Sequence, residues 1–281
     1  QAAPDIANKL FANRDLFHFS HDDNVPKSVR VESVPARGMV GIYVPRDDFK
    51  AIPIGAMLAK LPQDNPLNFV VGVNVIGQPQ FSNLDSMPHL LVAGQPGAGK
   101  SVFLNTVIVS LAFQNEPNHL QFILIDPKSG LEFGPYETLP HVYEGKIIRS
   151  SNEAVDALNA AKEEMDNRYK VMSQESAKGN IVRSVKEYNT INGVPSLPYR
   201  VIIVDEFADL VLSKNGKDIV ELTQAIAQKG RAAGIHIVIC TQRPSVKVIS
   251  GDIRAVIPSR LSFRLPTGID SKVILDESGA E

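Results

Sequence analysis

Lys100 and Ser101 close the run Gly94-Gln95-Pro96-Gly97-Ala98-Gly99-Lys100-Ser101, which has the spacing G-x-x-x-x-G-K-S. Side chains of these types, so spaced, suit one task. Gly94, Gly97 and Gly99 free the backbone to turn its N–H groups toward phosphate oxygens. A lysine at the end of such a loop reaches β- and γ-phosphates, and the hydroxyl beside it holds Mg²⁺. A helix starting there adds a partial positive charge and unpaired N–H groups. The flanks agree. Leu90 to Ala93 reads as a fully buried strand, and Val102, Phe103, Thr106, Val107, Val109, Ser110 and Leu111 read as a largely buried helix. Strand–loop–helix is the setting that separates a phosphate-binding loop from a chance match. Gly94, Gln95, Pro96, Gly97, Ala98, Gly99, Lys100, Ser101 and Val102 are the expected nucleotide site.

Two acids follow a second apolar run, Val201-Ile202-Ile203-Val204-Asp205-Glu206. In a parallel sheet ligands sit at the carboxyl ends of strands, so both acids should face the loop. Asp205 is placed to hold Mg²⁺ through water, and Glu206 to orient and polarise an attacking water. Two solvated acids capping a helix start are the plain alternative, and Asp209 reads as a structural hydrogen-bonder. A third strand end follows the run His236 to Cys240, where Gln242 could contact both a γ-phosphate and water. A strand-end cap is its alternative. Arg231 lies just after a helix, where a surface arginine can simply compensate the helix C-terminus. Cys240 sits inside an apolar run and reads as a small buried residue.

The elements that must position these residues alternate. From residue 69 onward, strands at 69–77, 90–93, 120–125, 201–204, 235–240 and near 260–265 are interleaved with helices after Lys100, at about 152–172 and at about 218–229. Apolar strands alternating with helices imply a parallel α/β sheet covered on both faces. Residues 1–66 form a separate small unit. Ile6, Leu10, Phe11 and Phe17 suggest a short helix, and residues 18–27 a polar loop. Val29 and Val31 against Val40, Ile42 and Val44, around Pro35-Ala36-Arg37-Gly38, read as two paired strands. Residues 54–61 suggest a second helix.

At 281 residues the chain suits one large core with an appendage. Lys plus Arg total 29 against 31 Asp plus Glu, a net charge of −2 that makes no bulk case for nucleic acid. Such a partner has to be argued from local basic positions. No apolar run approaches the ~20 residues of a membrane span, and the start lacks a signal-peptide pattern. One cysteine excludes an internal disulfide, which suits the cytosol. The chain opens at Gln1 and stops at Glu281, so a fragment of a longer protein is expected.

Six stretches in order resemble the FtsK/SpoIIIE motor domain: His89 to Gly94, Leu124-Ile125-Asp126-Pro127-Lys128, Val204 to Leu210, Arg231 to His236, Thr241 to Val246, and Ile269-Asp270-Ser271-Lys272. The likeness covers residues 69–281, and more faintly 28–66, where Val40-Gly41-Ile42-Tyr43-Val44-Pro45 is similar to the small α domain preceding the motor. It implies an α/β, RecA-like P-loop ATPase core at 67–281 with a small N-terminal α+β domain at 1–66. It further implies a cytoplasmic homo-hexameric ring that hydrolyses ATP with Mg²⁺ and drives double-stranded DNA through its channel, in chromosome segregation at cell division or in DNA transfer. On matching positions, Lys100 and Ser101 bind ATP and Mg²⁺, Asp205 and Glu206 form the Walker B pair, and Arg231 is the arginine finger completing a neighbour's site. Lys247, Arg254 and Lys272, in segments after Gln242, offer phosphate contacts along the DNA track.

Departures from the family pattern are visible. Gln95-Pro96-Gly97-Ala98 stands where Thr-Thr-Gly-Ser is common, Gly268 stands where a lysine often is, and the chain stops short of the last core strand. A membrane anchor in the inner membrane, or a C-terminal winged-helix module that reads DNA, would lie outside this chain. The competing expectation is an ATPase of the related type VII branch, which moves polypeptide. Basic residues after Gln242 and the α-like unit favour DNA. A third reading, a scaffold that binds nucleotide without hydrolysing it, is opposed by the Asp205-Glu206 pair.

Overall fold

A computed structural model of the chain describes residues 30–34, 39–43, 51–74, 77–191 and 193–281. The expected helix around Ile6 to Phe17, the polar loop 18–27 and the turn at Pro35 to Gly38 lie outside the described residues. The chain divides into the units Gln1–Pro53 and Ile54–Glu281. In the first, β1 (Arg30–Val34) pairs antiparallel with β2 (Met39–Tyr43), with Val31 opposite Ile42, as the alternating valines predict.

The second unit opens with a short helix, α1 (Ile54–Leu58), and an antiparallel hairpin of β3 (Asn68–Val73) and β4 (Pro79–Asn83). The sequence predicts 69–77 as a strand of the main sheet; it is instead one arm of this separate ribbon. The partner arm, Pro79-Gln80-Phe81-Ser82-Asn83, is polar and opens on proline, so no period-2 apolar pattern announces it. Met57, Leu58, Leu61 and Val70 make a small core with Phe81 and with Val109 of α2 (Lys100–Gln114). The N–H of Val70 donates to the Ser110 hydroxyl at 3.2 Å. The ribbon therefore buttresses the helix that carries the glycine-rich loop.

The main sheet contains β5 (His89–Ala93), β6 (Leu120–Ile125), β7 (Tyr199–Val204), β8 (Ile235–Thr241) and β9 (Ser259–Ser262), in the order β6-β7-β8-β5-β9 and all parallel. Alternate side chains leave opposite faces of a strand. Leu90, Val92, Leu124, Ile203 and Val238 thus pack with Leu104 and Ile108 of α2. Leu91, Ile123, Ile202 and Ile237 pack on the other face with Leu158 and Met165 of α3 (Ser151–Ala177) and with Ile219 and Ile226 of α6 (Gly216–Lys229). Both faces of β5 to β8 are covered, which is why those strands read as largely apolar runs. The edge strand β9, Ser259-Arg260-Leu261-Ser262, is half-buried. This is the α/β architecture that the sequence predicts.

The remaining α-helices among the described residues are short: α4 (Val185–Tyr188), α5 (Phe207–Val211), α7 (Gly251–Val256) and α8 (Gly268–Leu275). The long helix α3 starts at a capping box formed by Ser150 and Glu153 and runs past the predicted end at 172 to Ala177. From β5 the chain crosses to the far edge at β6, walks back through β7 and β8, and then crosses to β9. The connection leaving β5 therefore runs one way along the sheet and the connection leaving its neighbour β8 runs the other, the arrangement at whose carboxyl end α/β sheets place ligands.

Candidate active site

The loop after β5 is tied to its neighbours on both sides. The Gly94 N–H donates to the Thr241 carbonyl at 3.3 Å, and the Gln95 N–H to the Arg264 carbonyl at 2.9 Å. Gly97 and Gly99 take left-handed conformations at φ 76° and 107°, where a side chain would be strained. Gly94 is required for a different reason. A Cβ there would lie 2.8 Å from that of Phe263, whose ring also lies under Gly99 and 6.0 Å from the ring of Phe103. Phe263 is thus the floor of the loop. Gly99 caps α2 with no side chain, which leaves the first-turn N–H groups for a ligand.

Lys100 is buried, and its Nζ donates to the Asp205 carbonyl at 2.9 Å and to Asp205 Oδ1 at 3.4 Å. Asp205 is buried too, and burial holds its carboxyl above the ordinary value against the pull of Lys100 and then Lys128. Ser101, half-buried, follows on the first turn of α2. Val102, next on the same turn, is 70% exposed.

Glu206 is 2% exposed and held from three directions. Its Oε1 accepts from the Thr241 hydroxyl at 2.8 Å, and the Gln242 N–H reaches Oε1 and Oε2 at 3.2 and 3.1 Å. The Ala208 N–H donates to Oε1 at 3.4 Å, so Glu206 also caps α5. The plain alternative is therefore half right: the carboxylate caps a helix, but buried rather than solvated. Lys128, at the carboxyl end of β6, completes the set with Nζ 3.5 Å from Glu206 Oε2. Gln242, half-buried, meets this carboxylate through its backbone N–H at the end of β8.

The structure thus brings Gly94 through Ser101, Asp205, Glu206 and Gln242 to one end of the sheet. Arg231 is elsewhere. It is exposed, four residues before β8 begins, so the whole strand, roughly 23 Å at ~3.3 Å per residue, separates it from Thr241. Its loop is rigid. Arg168 Nη1 donates to the Ala233 carbonyl at 2.7 Å, the Tyr169 hydroxyl to the Lys229 carbonyl at 2.7 Å, and the Val185 N–H to the Ala232 carbonyl at 2.8 Å. Among the described residues the Arg231 side chain makes no hydrogen bond or ion pair.

Of the three basic positions expected on the DNA track, Lys247 and Lys272 are exposed. Arg254 is half-buried and donates to Asp276 Oδ1 at 3.1 Å, on a carboxylate it shares with Arg260. Cys240 is fully buried, and burial pushes its thiol well above the usual range, which fits a packing role.

Sequence reasoning missed Phe263, Thr241 and Lys128 as parts of the site. The strand-end rule that picks Asp205, Glu206 and Gln242, applied also to β6, would have found Lys128. Nothing local marks Phe263, an aromatic in an apolar stretch. Among the described residues no cluster of three or more His, Cys, Asp or Glu side chains could hold a metal by itself. Among them, too, no helix is long and apolar enough to cross a membrane.

Comparison with known proteins agrees with the motif resemblance. The family model for the FtsK/SpoIIIE family matches residues 60–246. The DNA translocase FtsK of Helicobacter pylori (strain J99 / ATCC 700824) is 40% identical over 259 residues, which is 91% of this chain and 30% of that protein. The chain therefore spans about a third of that relative's length. The solved structure of the pCW3 conjugation coupling protein TcpA, monomer form with ATPγS, superposes with a TM-score of 0.68 at 25% identity, covering 90% of this chain and 70% of that one. The cytoplasmic domain of the Thermomonospora curvata type VII secretion ATPase EccC gives a TM-score of 0.64 at 26% identity, covering 81% of this chain and 27% of that one.

Proposed function

The chain belongs to the FtsK/SpoIIIE family, and from that premise we propose that it is an ATP-hydrolysing motor that moves double-stranded DNA, working as a homo-hexameric ring. One observation supports the hydrolytic part: a buried glutamate is held by Thr241, the residue whose carbonyl also holds the glycine-rich loop at Gly94. The loop N–H groups and Lys100 would hold the β- and γ-phosphates, with Lys100 exchanging its bond to the Asp205 carbonyl for phosphate oxygens. Asp205 and Ser101 are hard oxygen donors of the kind Mg²⁺ takes together with phosphate oxygens, and the ion would supply charge neutralisation across the β- and γ-groups. Among the described residues no group of three or more His, Cys, Asp or Glu side chains could hold such an ion, so it has to be shared with the nucleotide, which suits that chemistry. Glu206 would orient the attacking water and accept its proton, and Gln242 would sense the terminal phosphate.

Arg231 cannot reach the site of its own subunit, which supports a role as the finger of a neighbour's site. Lys247 and Lys272 would touch DNA phosphates; Arg254 would do so only on leaving Asp276. Work on ATP and the buried lone thiol suit a cytoplasmic setting. The alternative, a motor for polypeptide, has the likeness to EccC in its favour. Identity of 40% with a DNA translocase outweighs 26% with EccC.

The deciding experiment is ATP turnover with and without double-stranded DNA. DNA should stimulate hydrolysis in the wild type. Lys100→Ala should lose nucleotide binding, and Glu206→Gln should bind ATP but turn over slower by orders of magnitude. Equal ATP affinity in wild type and Lys100→Ala would remove the loop assignment. Turnover indifferent to DNA would favour the polypeptide motor.

A further inference from the structure

Lys128 has no part in the mechanism so far, yet its construction is elaborate. Asp126, fully buried, accepts from the Lys128 N–H at 3.1 Å through Oδ1, and from the N–H groups of Glu132 and Phe133 at 2.8 and 3.2 Å through Oδ2. The Asp126 N–H is itself held by the Ile148 carbonyl at 2.8 Å. Ser129 and Gly130 then turn the chain away at φ 66° and 76°, and a Cβ at Gly130 would lie 2.6 Å from Arg149 Nε. A buried carboxylate and a constrained turn thus fix the base of one lysine. A partly exposed ion pair contributes little stability, so stability is a poor reason for such a mount.

The tip of that lysine differs from every other group on Glu206. The Thr241 hydroxyl and the N–H groups of Ala208 and Gln242 belong to packed elements and cannot withdraw. The Lys128 side chain is 37% exposed on a flexible four-carbon stem, whereas the Glu206 side chain is 3% exposed. The two acids at the end of β7 each carry a lysine of their own: Lys100 on Asp205 and Lys128 on Glu206. Oε1 is engaged by Ala208 and Thr241 and shares the Gln242 N–H with Oε2, so Oε2 carries the fewer fixed bonds and is the oxygen better placed to receive a proton from water. Lys128 stands on Oε2. A terminal phosphate arriving at the loop brings a denser negative charge for the ammonium than one carboxylate does.

We propose that Lys128 senses the terminal phosphate, masking Glu206 Oε2 when none is bound and releasing it when one arrives. The inference rests on the nucleotide reading of this site and deepens it. It is tested by binding alone, with Mg·ADP and Mg·ATPγS titrated onto the purified chain. Lys128→Met should weaken ATPγS about tenfold and leave ADP within about twofold, because only one of them carries the terminal group. Glu206→Gln, which removes the competing charge, should tighten ATPγS several-fold with ADP unchanged. That gain should vanish in the double variant, and Lys128→Arg should keep most of the discrimination.

A merely structural lysine would move both nucleotides together. Equal loss of ADP and ATPγS in Lys128→Met, no change in either, or a Glu206→Gln gain that persists without Lys128 would each overturn the proposal. Failure of both nucleotides to bind the wild type would instead remove the reading beneath it, and the proposal with it.

Discussion

Acid should weaken this fold before its carboxylates titrate, because two imidazoles are buried at the entry ends of β5 and β8. His89 and His236 are each 1% exposed, with ring centroids 6.4 Å apart. His89 Nδ1 accepts from the Ile237 N–H at 3.1 Å, and His236 Nδ1 lies 3.0 Å from the Pro88 carbonyl, to which it must donate. Burial first, then the charge of His236, pulls His89 from 6.5 to about 3. Burial pulls His236 to about 4 against its bond to the Pro88 carbonyl. The unfolded chain therefore binds more protons than the folded one between these values and 6.5, so stability rises with pH across that window. The contribution is complete above 6.5 and is lost as pH falls toward 4. A pH of 5 lies about 1.5 units below the unfolded value and above both folded ones, so each ring costs roughly 2 kcal/mol there at ~1.4 kcal/mol per unit. The pair then costs on the order of 4 kcal/mol, a large part of the ~5–15 kcal/mol that holds a domain. Urea unfolding followed by circular dichroism at pH 7 and pH 5 should show the midpoint falling sharply. Two imidazole C–H resonances should stay at their neutral positions down to pH 5. Equal midpoints at the two pH values, or histidines that all titrate near 6.5, would refute the reasoning.

Two further expectations concern assembly and the DNA track. Arg231→Ala should cut hydrolysis by orders of magnitude with ATP affinity little changed, and mixing it with Glu206→Gln subunits should restore some activity; no rescue at any ratio, with mixed rings confirmed, would leave Arg231 a structural residue. Neutralising Lys247, Arg254 and Lys272 together should remove DNA stimulation while basal hydrolysis survives, and each lost contact should flatten the salt dependence of DNA binding by about one unit of slope. Arg254, paired with Asp276, should contribute least of the three, and an unchanged slope in the triple variant would move the track elsewhere.

What was legible in the sequence was local. The loop needs one strand, three glycines and one helix start, all within Leu90 to Leu111, and Asp205-Glu206 needs only the strand before it. What was hidden depends on pairing across the sheet. Phe263 becomes the floor of the loop only because β9 lies beside β5, a register that no short stretch encodes. Lys128 meets Glu206 only because β6 lies beside β7. The ribbon arm Pro79–Asn83 escaped because its residues are polar, and the last turns of α3 escaped because Ser173 to Ala177 carry no apolar stripe. Arg168 breaks the usual pattern from the other side: a charge buried in mid-helix reads as solvent-facing until the carbonyls of Ala233 and Pro198 and the carboxylate of Glu164 are seen around it.

That same arginine bears on how one subunit could speak to the next. β8 is a fully buried rod. Its leaving end supplies the Thr241 hydroxyl and the Gln242 N–H to Glu206, and its entering end continues from the turn that displays Arg231. Close-packed cores transmit strain rather than absorb it, and β8 has β5 and β7 hydrogen-bonded along both edges. On the proposed reading, a change in what Glu206 holds would be felt at one end of a stiff strand, while the finger for a neighbouring site is mounted at the other. The mount is stiff as well, since Arg168, Tyr169 and Val185 fix the carbonyls of Ala233, Lys229 and Ala232. A Cβ at Gly230 would lie 2.4 Å from the Ile235 carbonyl oxygen, so this turn admits no side chain there. Loosening the mount without touching Arg231, by Arg168→Lys, should therefore lower turnover in the assembled ring while nucleotide affinity holds. A variant that lowered both equally would show that the rod serves only its own subunit.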